Sequence, residues 1–176
     1  KNIKFYQTNN LKLQLLRSLL SLLESGFFIL AFRYLSLADA HSIGALTPIF
    51  VVIFSFIFLK EKISPKIWIV IFIGFFGVLV VMRPGLSVFD PMSLIPLAAA
   101  FFLSLYQIVT RKVSEYDKNE TSLFYSGITG ITLMGFVSLF FWENITINFF
   151  PLFIGVGIFY SFGFYFQIIA LSKARA

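Results

Sequence analysis

The chain has 176 residues, of which 59% are hydrophobic and 12% charged, with a net charge of +6 and no cysteine. Globular domains carry about 25% charged residues, and a soluble core this apolar would lack a surface to cover it, so a water-soluble fold is excluded. The missing cysteines exclude disulfide and thiolate chemistry.

Residues 1–14 are polar, so no signal peptide is expected before the first span. That span covers about 15–37 and carries Arg17, Glu24 and Arg33. Charge-free runs follow at 42–59, 67–82, 91–110, 121–142 and 144–172. About 20 apolar residues cross a bilayer as a helix. Barrel strands alternate in polarity with period two, whereas these runs are apolar all round. The expectation is an all-α, polytopic bundle of six membrane helices with spans at about 15–37, 42–59, 64–82, 91–110, 121–142 and 147–172.

The positive charge has a pattern. With the amino terminus in the cytoplasm, twelve of the fourteen Lys and Arg residues fall in inside segments, and only Arg33 and Arg83 fall outside. Such a bias orients short-looped membrane proteins, so Lys60, Lys62 and Lys66 mark a cytoplasmic turn and Lys173 and Arg175 a cytoplasmic end. The charge thus serves the lipid bilayer, and nucleic acid is not an expected partner. Pro65 suits the first turn of the helix after that turn.

Glu24 lies nine residues after Leu15, about 13 Å into a core about 30 Å thick. A carboxylate at the centre of a membrane helix costs about 2.5–3.5 kcal/mol on insertion scales, so it must face water, a partner or a substrate. It is a candidate for binding a cation or for proton coupling; a pair with Arg17 or a bond to Ser21 is the structural alternative. Arg33 is read as an anchor four residues from the outer end of the first helix, and His41 as a solvated residue of the outer loop around Asp39. Pro48 removes the donor to the carbonyl of Gly44 and, with Thr47 beside it, predicts a kink lining a cavity. Tyr106, Gln107 and Thr110 cluster on the fourth span, Tyr125 lies on the fifth, and Tyr160, Phe164 and Gln167 share a face of the sixth. Buried amides and phenols need partners, which a substrate or a neighbouring helix supplies. Glu24, Thr47, Pro48, Tyr106, Gln107, Tyr125, Tyr160 and Gln167 are therefore the candidate substrate-binding residues. Gly74, Gly77, Gly127, Gly130, Gly155 and Gly157 are read as close helix contacts, with Ser126 and Gly130 as a small-xxx-small pair. The glycosylation patterns at Asn119 and Asn144 are discounted, the first for lying inside and the second for hugging the membrane.

Residues 25–40, SGFFILAFRYLSLADA, return as 161–176, SFGFYFQIIALSKARA, with six positions matched at an offset of 136. The copies cross the membrane in opposite senses, as in transporters built from inverted repeats around a midplane site. The stretch 30–85 resembles the EamA-type proteins of the drug/metabolite transporter superfamily. It looks like their third to fifth helices, with Pro48 inside a helix, Leu59 and Glu61 at its cytoplasmic end, Trp68, Gly74, Gly77 and the closing Arg83-Pro84-Gly85; Lys60 stands where a glycine is common. ALSKARA resembles the corresponding start in the second half. The resemblance implies two five-helix repeats, of which 1–85 is the end of the first and 86–176 the start of the second. It therefore implies a fragment covering helices three to eight of ten, against the alternative of a native six-helix protein.

The function implied is secondary transport of a small organic metabolite, an amino-acid, vitamin or nucleoside-like solute, by alternating access in a cell (inner) membrane. A non-transporting scaffold or inert fragment is the alternative, and a second copy of the chain is a candidate partner. No cofactor or metal is expected. No phosphate-binding glycine loop occurs, and no nucleophile with its base sits in a span, so the chain is not read as an enzyme.

Overall fold

The computed structural model describes residues 6–82, 85, 90–141 and 147–173. Arg83, Pro84, the Asn144 acceptor pattern, Arg175 and the last residues of the repeat, all named above, lie outside the described residues. The described chain is helical, with α1 at Leu11–Ala31, α2 at Leu37–Gly44, α3 at Thr47–Leu59, α4 at Pro65–Met82, α5 at Leu94–Val113, α6 at Asn119–Ser138 and α7 at Phe150–Lys173. Short 3-10 turns, Pro91–Ser93 and Ile147–Phe149, lead into α5 and α7. Four segments are long and apolar enough to cross a membrane: Leu11–Ala31, Leu37–Leu59, Pro91–Val113 and Ile147–Lys173. The all-helical membrane bundle expected from the sequence is thus present among the described residues, with four of the six expected spans long and apolar enough to cross and α4 and α6 falling short of that measure.

Local chemistry sets the boundaries. Asn10 opens α1 by accepting the amide of Leu13 at 3.2 Å, satisfying a donor that a helix start leaves free. α1 closes at Ala31 in a run of tight turns, in which Phe32, Arg33 and Tyr34 donate to the carbonyls of Ile29, Leu30 and Ala31. Arg33 therefore lies beyond the helix, exposed, rather than within its last turn. Ser36 caps α2 by accepting the amide of Asp39 at 3.1 Å and donating to its carboxylate at 2.7 Å. With that cap the expected loop around Asp39 is a helix: Asp39 is 4% exposed in its first turn, and His41 packs its ring 5.0 Å from Phe28 and 6.0 Å from Phe32.

The second span is broken between α2 and α3. Pro48 sits in the first turn of α3 rather than in mid-helix, because it has no amide for the carbonyl of Gly44. Thr47 takes that acceptor instead, donating its hydroxyl at 2.7 Å. At the other end of α3, Lys60 adopts φ 54° and ψ 31°. This left-handed turn is where glycine is favoured at a helix end, which explains why a lysine there is a departure.

Two compact units make up the chain: Lys1–Ser18 with Thr110–Arg175, and Leu19–Val109. In the second, α2 packs on α4, and the carboxylate of Asp39 accepts the amide of Gly85 at 2.6 Å. The ends of α2 and α4 therefore lie at one level, so α4 runs back alongside the broken span. Its core combines rings with small residues, for Ala31, Ala40, Ala99 and Ala100 are 0–1% exposed and let backbones approach closely. Gly44 is similarly tight, since a Cβ there would stand 3.2 Å from the Phe28 ring. The glycines expected to mediate helix contacts do not do so in the described structure: a Cβ on Gly74, Gly77, Gly127, Gly130, Gly155 or Gly157 would meet nothing within 4 Å.

In the first unit α6 packs on α7, and Asn119 donates to Ser172 at 3.4 Å. The start of α1 joins this unit through polar side chains: Gln14, Arg17 and Ser18 are 0–2% exposed, while Leu11, Leu15 and Leu16 are 44–49% exposed.

Candidate functional site

Five of the eight candidate residues belong to the Leu19–Val109 unit, where aromatic contacts join three helices. Phe27 of α1 stacks on Phe102 of α5 at 5.4 Å and 26°. Phe101 of α5 meets Phe50 and Phe54 of α3 edge-on at 6.2 and 5.3 Å, geometries that aromatic quadrupoles favour. Ala31 closes α1 just before α2, and α5 begins after Gly85, which Asp39 holds at the start of α2; α1 and α5 therefore run antiparallel. Glu24, one turn before Phe27, and Tyr106, one turn after Phe102, thus lie on the same side of the stacked pair. Thr47 precedes Phe50 by one turn on α3.

The environments of these side chains differ. Glu24 is half-buried and accepts the hydroxyl of Ser25 at 3.0 Å, rather than pairing with Arg17 or Ser21. Tyr106 is 1% exposed. Gln107 is half-buried with no hydrogen-bond partner among the described residues. Pro48 is exposed at the helix break.

The other three candidates belong to the unit of Lys1–Ser18 and Thr110–Arg175, and they are not brought together. Tyr125 donates its hydroxyl to the carbonyl of Tyr6 at 3.0 Å, anchoring the segment before α1. Tyr160 is exposed and stacks on Phe164 at 5.9 Å. Gln167 is half-buried on α7. No hydrogen bond or ring contact links these three among the described residues.

The sequence reading missed a buried polar cluster in this unit. Asp117, 8% exposed in the turn between α5 and α6, accepts the Asn9 amide at 2.8 Å, the Asn9 side chain at 3.2 Å, Gln14 Nε2 at 2.8 Å and the Thr8 hydroxyl. Burial pushes its carboxyl upward, but these bonds to the charged form outweigh burial and hold it below the ordinary aspartate range. Gln14 Oε1 accepts from Arg17 Nε at 3.3 Å, and the guanidinium continues to the Ser122 carbonyl and, at 2.7 Å, to Ser126 Oγ. Ser126, read from sequence as a small contact residue, is thus an arginine acceptor. The available signal was the spacing of Gln14, Arg17 and Ser18, a polar stripe in an otherwise leucine-rich helix.

The apolar helices and their short connections define a multi-pass membrane protein. Residues 1–83 match the EamA-like transporter family. The chain is 33% identical over 79 residues to a riboflavin transporter of Vibrio cholerae, covering 45% of this chain and 26% of that protein. It is 25% identical over 145 residues to an S-adenosylmethionine uptake transporter of Rickettsia prowazekii, covering 80% and 49%. With an uncharacterized transporter of Helicobacter pylori it shares 32% identity over 121 residues, 65% of this chain and 40% of that one. The chain thus spans less than half the length of each of these relatives. No solved structure matches it at a significant level.

Proposed function

We propose that the chain acts in secondary transport of a small organic metabolite that carries a planar heteroaromatic ring, by alternating access across a cell membrane. The observation that carries this reading is the aromatic seam of Phe27, Phe102, Phe101, Phe50 and Phe54, with Glu24 and Tyr106 one turn away on the same side, within a chain whose matched part is EamA-like. Riboflavin and S-adenosylmethionine, named for two relatives, both contain fused planar ring systems rich in heteroatoms. Stacking and amide hydrogen bonds suit such solutes better than a charged, non-aromatic amino acid.

In this reading Glu24 carries the coupling proton or contacts a cationic group of the solute, and Thr47 and Pro48 mark a break at which α3 shifts against its neighbours. Tyr125, Tyr160 and Gln167 belong to the second repeat, which begins near residue 86. The charge pattern supports a cytoplasmic amino-terminal end and a cytoplasmic Lys173, in the inner membrane of a bacterial cell, and a second copy of the chain is a candidate partner. The chain performs no covalent chemistry on its solute.

The test is uptake of labelled riboflavin and S-adenosylmethionine into proteoliposomes containing the full chain. Saturable uptake that falls in Phe27→Ala and Phe102→Ala, with the proteins still inserted, supports the reading. Flux equal to that of empty vesicles for both solutes, with inserted protein, overturns it in favour of a non-transporting scaffold.

A further inference from the structure

The start of α1 is held differently from the rest of the chain. Its buried side presents Gln14, Arg17 and Ser18, while Leu11, Leu15 and Leu16 are largely exposed. The attachments of the segment Thr8–Gln14 converge on one carboxylate, that of Asp117, through Thr8, Asn9 and Gln14. Gln14 then bridges the carboxylate to Arg17, whose guanidinium ends on Ser122 and Ser126 of α6. Asn9 adds a bond to the carbonyl of Tyr116 at 2.5 Å.

Two consequences follow from this arrangement. Polar groups that leave such a cluster find equivalent partners in water, so a joint built of them exchanges one set of bonds for another with little net change. Because donors from Thr8, Asn9 and Gln14 all end on Asp117, loss of that acceptor takes a partner from each of them at once and loosens the segment Thr8–Gln14, while Gln14 keeps Ser122 at 3.2 Å and Arg17 keeps Ser122 and Ser126. A seam of interdigitated leucines would have neither property.

We propose that Asp117 is the keystone of a latch fastening the amino-terminal end of α1 to the α5–α6 turn and to α6, and that this latch opens during each passage of solute. The second half of this statement rests on the transport reading above; the first stands on the hydrogen bonds alone. A polar joint at the end of a helix, able to exchange its bonds for water, is the kind of part a transport cycle turns on.

Two experiments on the full membrane-embedded chain separate these halves. The first is hydrogen exchange of residues 8–18 in wild type and in Asp117→Asn, whose amide nitrogen faces donors where the carboxylate accepted. Exchange there should quicken by about tenfold or more, the ratio that loss of a charge-assisted hydrogen bond implies, with α3 and α7 unchanged. Equal rates would overturn the latch. Should Asp117→Asn fail to insert, Gln14→Leu tests the same segment by removing the bridge, and an unchanged rate there overturns the latch as well.

The second experiment uses the absence of native cysteine. Asn9→Cys with Tyr116→Cys, tied by a reducible bifunctional thiosulfonate, fixes the latch shut. Flux should cease on cross-linking and return on reduction. Undiminished flux in the cross-linked protein would overturn the opening step. If wild type and the reduced pair are equally without flux, the transport reading fails while the exchange result still decides the latch.

Discussion

Gln14 donates to Asp117 at 2.8 Å across 103 residues of sequence, and the same side chain accepts from Arg17 at 3.3 Å. A neutral amide thereby joins a buried cation to a nearly buried anion, and a substitution at any of the three disturbs the other two.

Asp117→Asn should destabilise the protein by about 1.5–3 kcal/mol at neutral pH, the range for hydrogen bonds to a charged group. The native carboxyl lies below its reference value of 3.8, so its contribution is fully present well above that value and is lost as pH falls through the lower, native one. Thermal unfolding in detergent from pH 7 to pH 3 should show the gap between wild type and variant closing only at the acid end. A gap independent of pH would show that the ionised form is not what the bonds stabilise.

Thr47 and Pro48 should be coupled. Thr47→Val leaves the Gly44 carbonyl without its donor and should cost about 1–3 kcal/mol. Pro48→Ala supplies a backbone amide for that carbonyl, so the double variant should recover part of the loss, a non-additivity that a double-mutant cycle measures. Strict additivity would mean that the two residues do not compete for one acceptor.

Lys60 occupies a left-handed turn with φ 54°, a conformation disfavoured by about 1–2 kcal/mol for residues with a Cβ. Lys60→Gly should therefore raise stability by about 0.5–1 kcal/mol, less the added freedom of the unfolded chain. Lys60→Val should lower it, because a β-branched residue fits this region worst. Unfolding midpoints should fall in the order glycine, lysine, valine.

Glu24 accepts a hydrogen bond from Ser25 at 3.0 Å through one carboxylate oxygen. In the proposed transport role its second oxygen takes the solute or the proton. Glu24→Gln should flatten the pH profile of uptake while the protein remains in the membrane. An unchanged profile would remove Glu24 from coupling.

Much of this architecture is legible in the sequence because its signals are local. Charge-free runs mark the spans, and Pro48 locates the carbonyl of Gly44 that lacks its usual amide. Lys60 stands out against the family pattern at the one described non-glycine position with positive φ. The α2–α3 break is less legible, since a proline in an apolar run reads equally as a kink and as a helix start. Asp39 and His41 read as a loop because the cap that folds them into α2 is a single serine, Ser36. The Asp117 cluster is legible only in its α1 half, the polar stripe of Gln14, Arg17 and Ser18: the aspartate's partners are 103–109 residues away, and a lone aspartate between helices ordinarily belongs to solvent. Tyr125 shows the same limit, as its hydroxyl finds a backbone carbonyl 119 residues earlier.

The central claim is that the aromatic seam carries a planar solute across the membrane. Its most direct test is counterflow of labelled riboflavin and S-adenosylmethionine in vesicles holding the full chain, compared with the same chain bearing Phe27→Ala. Saturable counterflow of at least one solute, reduced about two- to tenfold by loss of one ring-stacking contact, is the predicted result. Counterflow that is absent for both solutes, or unaltered in the variant, would contradict the account.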